Sequence, residues 1–370
     1  MWNKMKSNKI LILANSSGGL YDFRNELVQK LLKEYQVVVS LPDEVRTAQL
    51  AAEGCKVVQT SINRRGVNPF EDLKLIQSYF KLLRQEKPDL VLTYTIKPNI
   101  YGGFCCRCMK IPYISTVTGL GSTFQKQGML LRMIVWMYRT GLKGSGCVFF
   151  QNKENQGIFE KYHIRGKDSC LVKGSGVNLE RHRKEPYPED HQVHFLFVGR
   201  MMKEKGIEEL LAAARKLHGP DVKFDLLGYC DEDYQDMLDT CEKEGIIRQL
   251  GFDPEVHDYL KRASALVLPT YHEGMSNVLM EASATGRPVI ATNISGCKEI
   301  FEEGVTGFGC EPGSSESLIQ ALKKFLALTK EERAHMGERA RTKMEQEFDR
   351  NKVAQTYYDK IQELMMKQKG

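Results

Sequence analysis

The sequence predicts an α/β protein with two similar halves, each built around a doubly wound parallel sheet. Three observations indicate this class. Short apolar runs of strand length alternate with amphipathic helical patterns in both halves. A polar stretch with two prolines, residues 178–193, interrupts this alternation and is the best candidate for a linker. A length of 370 residues also suits two domains of ordinary size.

The first domain is predicted over residues 1–180. Its first strand leads into a tight loop, Ser16-Ser17-Gly18-Gly19, which is followed by an amphipathic helix from Tyr21. A second long helical pattern covers 70–85, and another helix follows Pro98. The strands are predicted over 9–14, 37–40, 56–60, 90–93, 112–116 and 147–150.

The second domain is predicted over residues 190–350, where the alternation restarts. Its strands are expected at 194–198, 223–227, 246–250, 265–268 and 288–291, with helices between them and two more at 317–327 and 330–347. A last helix, at about 352–366, is expected to pack back on the first domain. Two such domains leave a cleft between them, where a substrate is expected to bind at the carboxyl ends of the strands.

The charge is distributed unevenly along the chain. Residues 1–190 carry 29 Lys and Arg against 17 Asp and Glu, a balance of +12, whereas the remainder is net acidic. From charge alone, the first half is expected to meet either nucleic acid or an anionic membrane surface. The ten cysteines form no zinc pattern. The run 10–14 is too short for a signal peptide and no segment could span a bilayer, so we expect a cytoplasmic protein.

A candidate anion site lies between residues 265 and 288. An apolar strand, a short loop and a helix that begins near Asn277, a reasonable N-cap, follow one another there. The free amides and positive dipole end of such a helix bind phosphate. Glu273 and Glu281 flank this point, and carboxylates beside a phosphate site are explained if they hold neutral hydroxyls. The pattern therefore indicates a nucleotide sugar, with ribose on one side and the sugar on the other.

A second phosphate signal follows the first strand of this domain. Arg200 is predicted at the carboxyl end of the strand, and Lys205 comes five residues later, before Gly206. A guanidinium and an ammonium together could neutralise a diphosphate leaving group without a metal. The pair Asp231 and Asp233 has the spacing of a Mn²⁺-binding motif, but capping of a helix at 234 explains it more simply.

Gly199-Arg200, Lys205-Gly206 and Glu273-x7-Glu281, in this order and spacing, resemble the retaining glycosyltransferases of family 4. The resemblance covers nearly the whole chain and implies the GT-B fold, with two Rossmann-like domains. It implies that Arg200 and Lys205 hold the donor diphosphate, that Glu273 binds the transferred sugar and that Glu281 binds the ribose. The catalytic candidates are Arg200, Lys205 and Glu273; the other donor-binding candidates are Gly18, Gly19, Phe252, Val256, Met275, Ser276, Asn277 and Val278.

Four segments of the first half sharpen this resemblance: 21–24, 64–69, 97–99 and 118–122. They look like a subgroup that builds bacterial glycans, such as capsule and other polysaccharide repeats, on undecaprenyl diphosphate. Arg24, Arg65 and Lys97 become candidates for binding the acceptor diphosphate, although surface cations that serve solubility remain the alternative for each. The donor is expected to be a UDP-sugar by this similarity. No metal, no other cofactor and no nucleic acid partner are expected.

Residues 126–144 form an apolar helical pattern interrupted by cations. Arg132, Arg139 and Lys143 fall within about 40° of one another on a helix. Such a helix suits a bilayer interface, with Trp136 and Tyr138 at the headgroup level. The alternative is a core helix with one solvated stripe. The basic balance of this half favours an anionic membrane surface, so we expect a peripheral location on the inner face of the cytoplasmic membrane.

Two other functions compete with sugar transfer. A nucleotide-sugar epimerase on a similar fold would need acid–base carboxylates and no acceptor surface. A non-catalytic sugar-nucleotide-binding subunit is the other alternative, and the presence of all four residues Arg200, Lys205, Glu273 and Glu281 argues against it. The glycine loop at 16–19 lacks the GxGxxG motif of dinucleotide-binding domains, so a dehydrogenase is a weaker alternative than either of these.

Overall fold

The computed structural model describes residues 8–63, 68–120, 124 and 128–367. It divides into two compact units, each with its own sheet and core. The first unit comprises Met1–Ser175 together with Arg350–Gly370, and the second comprises Gly176–Asp349. In sequence, the second unit is therefore inserted between two segments of the first.

The described part of the first unit is built on seven parallel strands. Their order in the sheet is third, second, first, fourth, fifth, sixth and seventh. The order reverses beside the first strand, which pairs with the second on one side and the fourth on the other. The strands are β1 (Lys9–Leu13), β2 (Gln36–Leu41), β3 (Lys56–Gln59), β4 (Leu90–Tyr94), β5 (Tyr113–Val117), β6 (Cys147–Phe150) and β7 (Ser169–Leu171).

Helices cover both faces of this sheet. The helices are α1 (Ser17–Leu32), α2 (Thr47–Ala52), α3 (Pro69–Glu86), α4 (Gly103–Cys108), α5 (Met129–Leu142) and α6 (Lys153–Lys161), and a π-helix (Pro98–Gly102) precedes α4. One apolar layer joins α1 to one face of the strands, and a second joins α3, α4 and α5 to the other. Buried parallel strands with apolar residues on both faces require such a double cover.

The second unit repeats the design with six parallel strands, in the sheet order third, second, first, fourth, fifth and sixth of that unit. These strands are β8 (Val193–Val198), β9 (Val222–Leu227), β10 (Arg248–Gly251), β11 (Ala265–Leu268), β12 (Val289–Thr292) and β13 (Gly307–Cys310). The helices are α7 (Ile207–Leu217), α8 (Gln235–Lys243), α9 (His257–Leu260), α10 (Asn277–Thr285), α11 (Ser315–Leu326) and α12 (Lys330–Glu347). Two parallel α/β sheets confirm the predicted fold class.

The last helix, α13 (Arg350–Met366), belongs to the first unit. Val353, Tyr357 and Ile361 are buried in the same apolar layer as α1. The ring of Tyr357 stacks on that of Phe149, with 4.0 Å between the ring centroids. Among the described residues, no helix has the length and apolar character needed to cross a bilayer.

Two of the helix starts that differ from the sequence prediction lie beside candidate residues. Helix α1 begins at Ser17, so Gly18 and Gly19 lie in its first turn and not in a loop. The reason is that Ser16 caps the helix, its Oγ accepting from the Gly19 amide at 3.2 Å. Helix α8 begins at Gln235 without a side-chain cap, so the capping role predicted for the acidic pair before it is wrong.

Candidate active site

Two loops of the second unit meet beside the carboxyl end of β8. A short 3₁₀ turn, Lys203–Lys205, follows this strand, and Gly206 then adopts a positive φ of 73°. A Cβ on Gly206 would lie 2.0 Å from the carbonyl oxygen of Pro269, which follows β11. Only a glycine allows the two backbones to approach this closely.

The approach of these loops joins Lys205 to Glu273. Nζ of Lys205 lies 2.5 Å from Oε1 of Glu273, and the two side chains are 22% and 15% exposed. An ammonium and a carboxylate this close form a charge-assisted hydrogen bond. The two residues predicted to bind the leaving diphosphate and the transferred sugar are therefore brought together.

Three further hydrogen bonds hold the same two loops. The carbonyl oxygen of Glu204 accepts from the Tyr271 amide at 2.9 Å and from Thr270 Oγ1 at 3.1 Å. The Tyr271 hydroxyl donates to Oε1 of Glu209, a buried carboxylate in the first turn of α7, at 2.6 Å. Burial and this carboxylate raise the pKa of Tyr271, so the phenol stays a donor. The Lys205–Glu273 pair thus rests on a fixed frame.

Helix α10 begins directly after the loop that carries Glu273. Its N-cap is Ser276, and Asn277 is the first helical residue, so the N-cap predicted at Asn277 is displaced by one position. In the described structure no side chain of the N-cap bonds to the first turn, whose amides have no partners within the helix. Met275 and Ser276 are buried, while Asn277 and Val278 are half-buried. The Ser276 amide donates to the carbonyl oxygen of Gly296 at 2.9 Å, so the amides of Asn277 and Val278 form the anion-binding helix start beside this loop.

Arg200 is held by Asp231, which follows β9. The distance from Nη1 of Arg200 to Oδ2 of Asp231 is 2.6 Å, and the guanidinium side chain is 38% exposed. Asp231 therefore orients a candidate phosphate ligand. Among the described residues, the contacts of Arg200 do not include Lys205 or Glu273. In the part of the chain that the structure describes, no group of three His, Cys, Asp or Glu side chains could hold a metal ion.

Glu281 lies on α10, about one turn beyond the first helical residue, Asn277. Its side chain is 12% exposed, and its Oε1 lies 3.8 Å from Nε2 of His182, which is itself buried. His182 comes from the segment that leads into the second unit, and the sequence analysis missed it. A lone histidine 99 positions before its partner carries no local pattern that could have revealed the contact.

The predicted base-binding edge carries two exposed aromatic rings. Phe252, which follows β10, is 68% exposed, and Tyr229, which follows β9, is 50% exposed. Their ring centroids lie 6.0 Å apart in an edge-to-face arrangement. Val256 precedes α9 as its N-cap residue and is half-buried. Tyr229 is a second residue that the sequence analysis did not single out.

Two of the acceptor candidates, Arg24 and Lys97, lie in described parts of the first unit and contact different neighbours. The guanidinium of Arg24 lies 4.6 Å from the ring centroid of Tyr94, and its Nη1 donates to the carbonyl oxygen of Gly19 at 3.2 Å. Nζ of Lys97 lies 2.7 Å from Oδ1 of Asp72, a largely buried pair. Arg65 lies outside the described residues.

The chain around Lys97 has an unusual backbone. Thr95, at the end of β4, adopts a φ of 73°, which is rare for a β-branched residue. The π-helix Pro98–Gly102 follows, and the Asn99 side chain bonds to Thr93 and to the carbonyl oxygen of Thr116. Strained backbone and π-helices concentrate at functional sites. Asp72 also accepts from the Tyr101 hydroxyl at 2.8 Å, so Lys97 is held in a built polar cluster.

The geometry agrees with comparisons to known proteins. Residues 179–343 match the family "Glycosyl transferases group 1", and residues 9–152 match "Glycosyl transferase 4-like". The N,N'-diacetylbacillosaminyl-diphospho-undecaprenol alpha-1,3-N-acetylgalactosaminyltransferase of Campylobacter jejuni is 26% identical over 95% of this chain and 99% of its own. The capsular polysaccharide biosynthesis glycosyltransferase CapM of Staphylococcus aureus is 24% identical over 93% and 94%.

A solved structure shows the same fold. Anabaena Alr3699/HepE, in complex with UDP and glucose, has a TM-score of 0.79 at 19% identity and covers 96% of this chain and 99% of its own. Both domains of the chain thus match glycosyltransferase families, and together the matches span most of its length. The chain belongs to the group 1, family 4-like glycosyltransferases.

Proposed function

We propose that the protein transfers a hexose or N-acetylhexosamine, with retention of configuration, from a UDP-sugar to a saccharide linked to undecaprenyl diphosphate. The observation that carries this proposal is the Lys205–Glu273 pair beside the free amides of α10. The names of the C. jejuni relative and of an Escherichia coli UDP-galactose-dependent relative, which is 26% identical over 70% of this chain and 71% of its own, support the acceptor class.

Lys205 and Glu273 would act on different parts of the donor, and Lys205 would act on the leaving diphosphate. In the transfer, the bond between the sugar C1 and the β-phosphate oxygen breaks, and both electrons leave with the diphosphate. Lys205, Arg200 and the amides of Asn277 and Val278 would stabilise that charge. Because a cationic pair and a helix start supply this stabilisation, we propose that the reaction needs no metal. Removing one such donor commonly lowers kcat by about 100-fold or more.

The carboxylates would hold the neutral parts of the donor. Glu273 accepts from hydroxyls of the transferred sugar, and Glu281 accepts from the ribose hydroxyls. The acceptor hydroxyl oxygen forms the new bond to C1 on the face that the diphosphate leaves, and its proton passes to a phosphate oxygen. This route uses no side chain as the general base and retains the anomeric configuration.

Helix α5 supports attachment to an anionic membrane. Met129, Met133 and Trp136 are 87%, 41% and 65% exposed and lie along one side of the helix. Arg132 and Arg139 are exposed on the same helix, and Arg139 donates to the carbonyl oxygen of Tyr162 at 2.6 Å. Apolar and cationic side chains on one face are typical of helices in the bilayer interface.

One residue of this helix was placed wrongly from the sequence. Tyr138, predicted at the headgroup level, is buried against Phe124 and Phe159. The membrane-facing stripe is therefore Met129, Met133 and Trp136, with Lys143 just beyond the helix end. Residues 126 and 127, at the start of the predicted segment, lie outside the described residues. We propose that this stripe holds the enzyme at the cytoplasmic face of the membrane, where the lipid-linked acceptor is found.

A panel of UDP- and GDP-sugars with an undecaprenyl-diphosphate-linked saccharide tests this function. We expect one UDP-sugar to be transferred, a product heavier by one sugar, an α-anomeric signal by NMR from an α-linked donor, and unchanged rates with a chelator. A free epimerised donor without acceptor would instead show an epimerase. An inverted product would contradict retention, and loss of activity with the chelator would contradict metal independence.

A further inference from the structure

The segment that opens the second unit packs against the predicted nucleoside half of the donor site. After Val177 the chain turns sharply, and Oδ1 of Asn178 accepts from the amides of Glu180 and Arg181 at 3.0 and 2.7 Å. This turn directs two neighbouring side chains, Arg181 and His182, toward different parts of the same unit. The segment is therefore more than a connection.

His182 faces the carboxylate of Glu281. The distance from Nε2 to Oε1 is 3.8 Å, and the side chains are only 6% and 12% exposed. A carboxylate so little exposed depends on its polar neighbours for orientation, because water reaches it poorly. Glu281 accepts hydroxyls well only if its oxygens are aimed at them.

A second histidine fixes the surroundings of this contact. The rings of His182 and His257 lie 5.7 Å apart, edge to face. His257 contacts Glu185 through Nε2 at 3.2 Å and Thr285 Oγ1 through Nδ1 at 3.3 Å. The Thr285 hydroxyl in turn donates to the carbonyl oxygen of Glu281 at 2.8 Å. The segment 178–185 thus contacts the Glu281 side chain directly through His182, and it reaches Thr285 of the same helix through Glu185 and His257 of α9.

Arg181 reaches the loop on the other side. Its Nη2 lies 3.5 Å from the carbonyl oxygen of Pro254 and 3.5 Å from Oε1 of Glu255. This loop carries Phe252 and Val256, the predicted base-binding edge. Two adjacent residues of one turn therefore contact both predicted parts of the nucleoside site: Arg181 contacts the loop predicted to bind the base, and His182 contacts the carboxylate predicted to bind the ribose.

We propose that His182 is a positioning residue for the ribose: it holds the Glu281 carboxylate in the orientation that accepts from the two ribose hydroxyls. The inference rests on the proposed function, because it takes Glu281 as the ribose ligand. Nε2 of His182 and Oε1 of Glu281, 3.8 Å apart, are within ion-pair range but beyond hydrogen-bond distance, and in the proposed role this contact shortens to a hydrogen bond when the ribose hydroxyls bind Glu281. Support of a binding group by such an outer contact is a common requirement for precise sites.

Binding of UDP and of 2′,3′-dideoxyuridine diphosphate, measured by calorimetry, tests this role without any transfer step. We expect the wild type to prefer UDP by about tenfold or more, since charge-assisted hydrogen bonds to hydroxyls are lost in the analogue. His182→Leu should lower this preference to within about threefold, because the carboxylate loses its support. His182→Gln should restore it, since the glutamine amide can donate from nearly the position of Nε2.

Two further variants separate the outcomes. Phe325→Leu removes a fully buried ring of the same unit that is not part of the His182–Glu281 cluster, so it should lower the melting temperature and keep the preference for UDP. Glu281→Gln should reduce the preference as His182→Leu does. A wild type without preference would overturn the ribose role of Glu281 and the proposal with it. A preference lost in Glu281→Gln but kept in His182→Leu would overturn the role of His182 alone.

Discussion

Nζ of Lys205 lies 2.5 Å from Oε1 of Glu273, although the two residues are 68 positions apart and follow different strands of one sheet. The pair has no net charge, so each member satisfies the other while both remain largely enclosed. In the proposed donor complex, a phosphate oxygen would compete with the carboxylate for the ammonium, and a sugar hydroxyl would compete with the ammonium for the carboxylate. The donor would therefore replace one internal contact by two contacts to itself.

Replacement of Lys205 by Ala should lower kcat by about 100-fold or more, because one source of positive charge at the leaving diphosphate is lost. Initial rates of UDP release with acceptor present would measure this. Arg200→Ala should act in the same direction. Lys216→Ala is the matched control, since Lys216 pairs with Glu316 at the surface of the same unit. Turnover of Lys205→Ala close to that of the control would remove Lys205 from the site.

A methyl group at Gly206 should harm both stability and activity. Gly206 and Gly245 share a positive φ, 73° and 72°, but only Gly206 faces another backbone, 2.0 Å from a Cβ placed there. Gly245→Ala should cost about 1 kcal/mol through backbone strain alone. Gly206→Ala should cost more and should also reduce kcat, because the loops of Lys205 and Glu273 are pushed apart. Urea unfolding of both variants measures the difference, and equal costs would contradict the close approach.

Stability should depend on pH through His194. Its Nδ1 lies 3.2 Å from Oδ2 of Asp225, and this hydrogen bond raises the pKa of His194 above 6.5 despite burial. Because the pKa of His194 is higher in the folded than in the unfolded protein, its protonation stabilises the fold. This stabilisation is complete below the pKa of the unfolded state, and it is lost as the pH rises through the pKa of the folded state. The advantage of wild type over His194→Gln in melting temperature should therefore be larger at about pH 5.5 than at about pH 8.5.

The neighbours of His194 define the control for that experiment. Arg248 donates to both oxygens of Asp225, at 2.8 and 2.9 Å, and Asp190 lies 3.4 Å from His194 Nε2. Burial would raise the pKa of Asp225, but its hydrogen bonds with His194 and Arg248 lower it, so the carboxylate stays charged over this whole range. His335→Gln, an exposed change on α12, should show no such trend. An advantage that grows with pH would contradict the assignment.

Binding to anionic vesicles should require the exposed stripe of α5. Replacing Met133 and Trp136 together by Ser should weaken flotation with phosphatidylglycerol vesicles by at least about tenfold, since their apolar area no longer leaves water. Arg132→Glu should weaken it further at low salt and less at about 1 M salt. Met237→Ser, a similarly exposed methionine on α8, is the control. Equal flotation of the stripe variant and the control would exclude this surface as the anchor.

Much of the fold could be predicted because both sheets are buried on both faces. Strands such as β1 and β11 are therefore unbroken apolar runs that contrast with their surroundings. The edge strands β7 and β13 were missed, since they are short and lack this contrast. β13 contains Gly307 and Gly309, and a Cβ at Gly307 would lie 2.2 Å from the Val289 carbonyl oxygen. Close packing selects glycine there, against the usual preferences of strands.

The site could be predicted only where its residues share a local pattern. Lys205, Glu273 and Glu281 follow strands or open helices, so chain order alone indicated them. The pairing of Asp231 with Arg200, and the roles of His182 and Tyr229, depend on contacts across the fold, which no spacing reveals. Tyr138 shows the same limitation for a residue that was predicted to be exposed. A helical pattern shows which residues share a face, but only the neighbouring elements determine which face is buried.

The position of α13 has a consequence for synthesis of the chain. Residues 350–366 leave the ribosome after the whole of the inserted unit, yet Tyr357 stacks on Phe149 and Val353 packs in the layer that covers β1. Until then the nascent first unit exposes the part of this apolar layer that α13 covers. The inserted unit has a continuous sequence and can fold co-translationally, whereas the domain that begins the chain must be finished last.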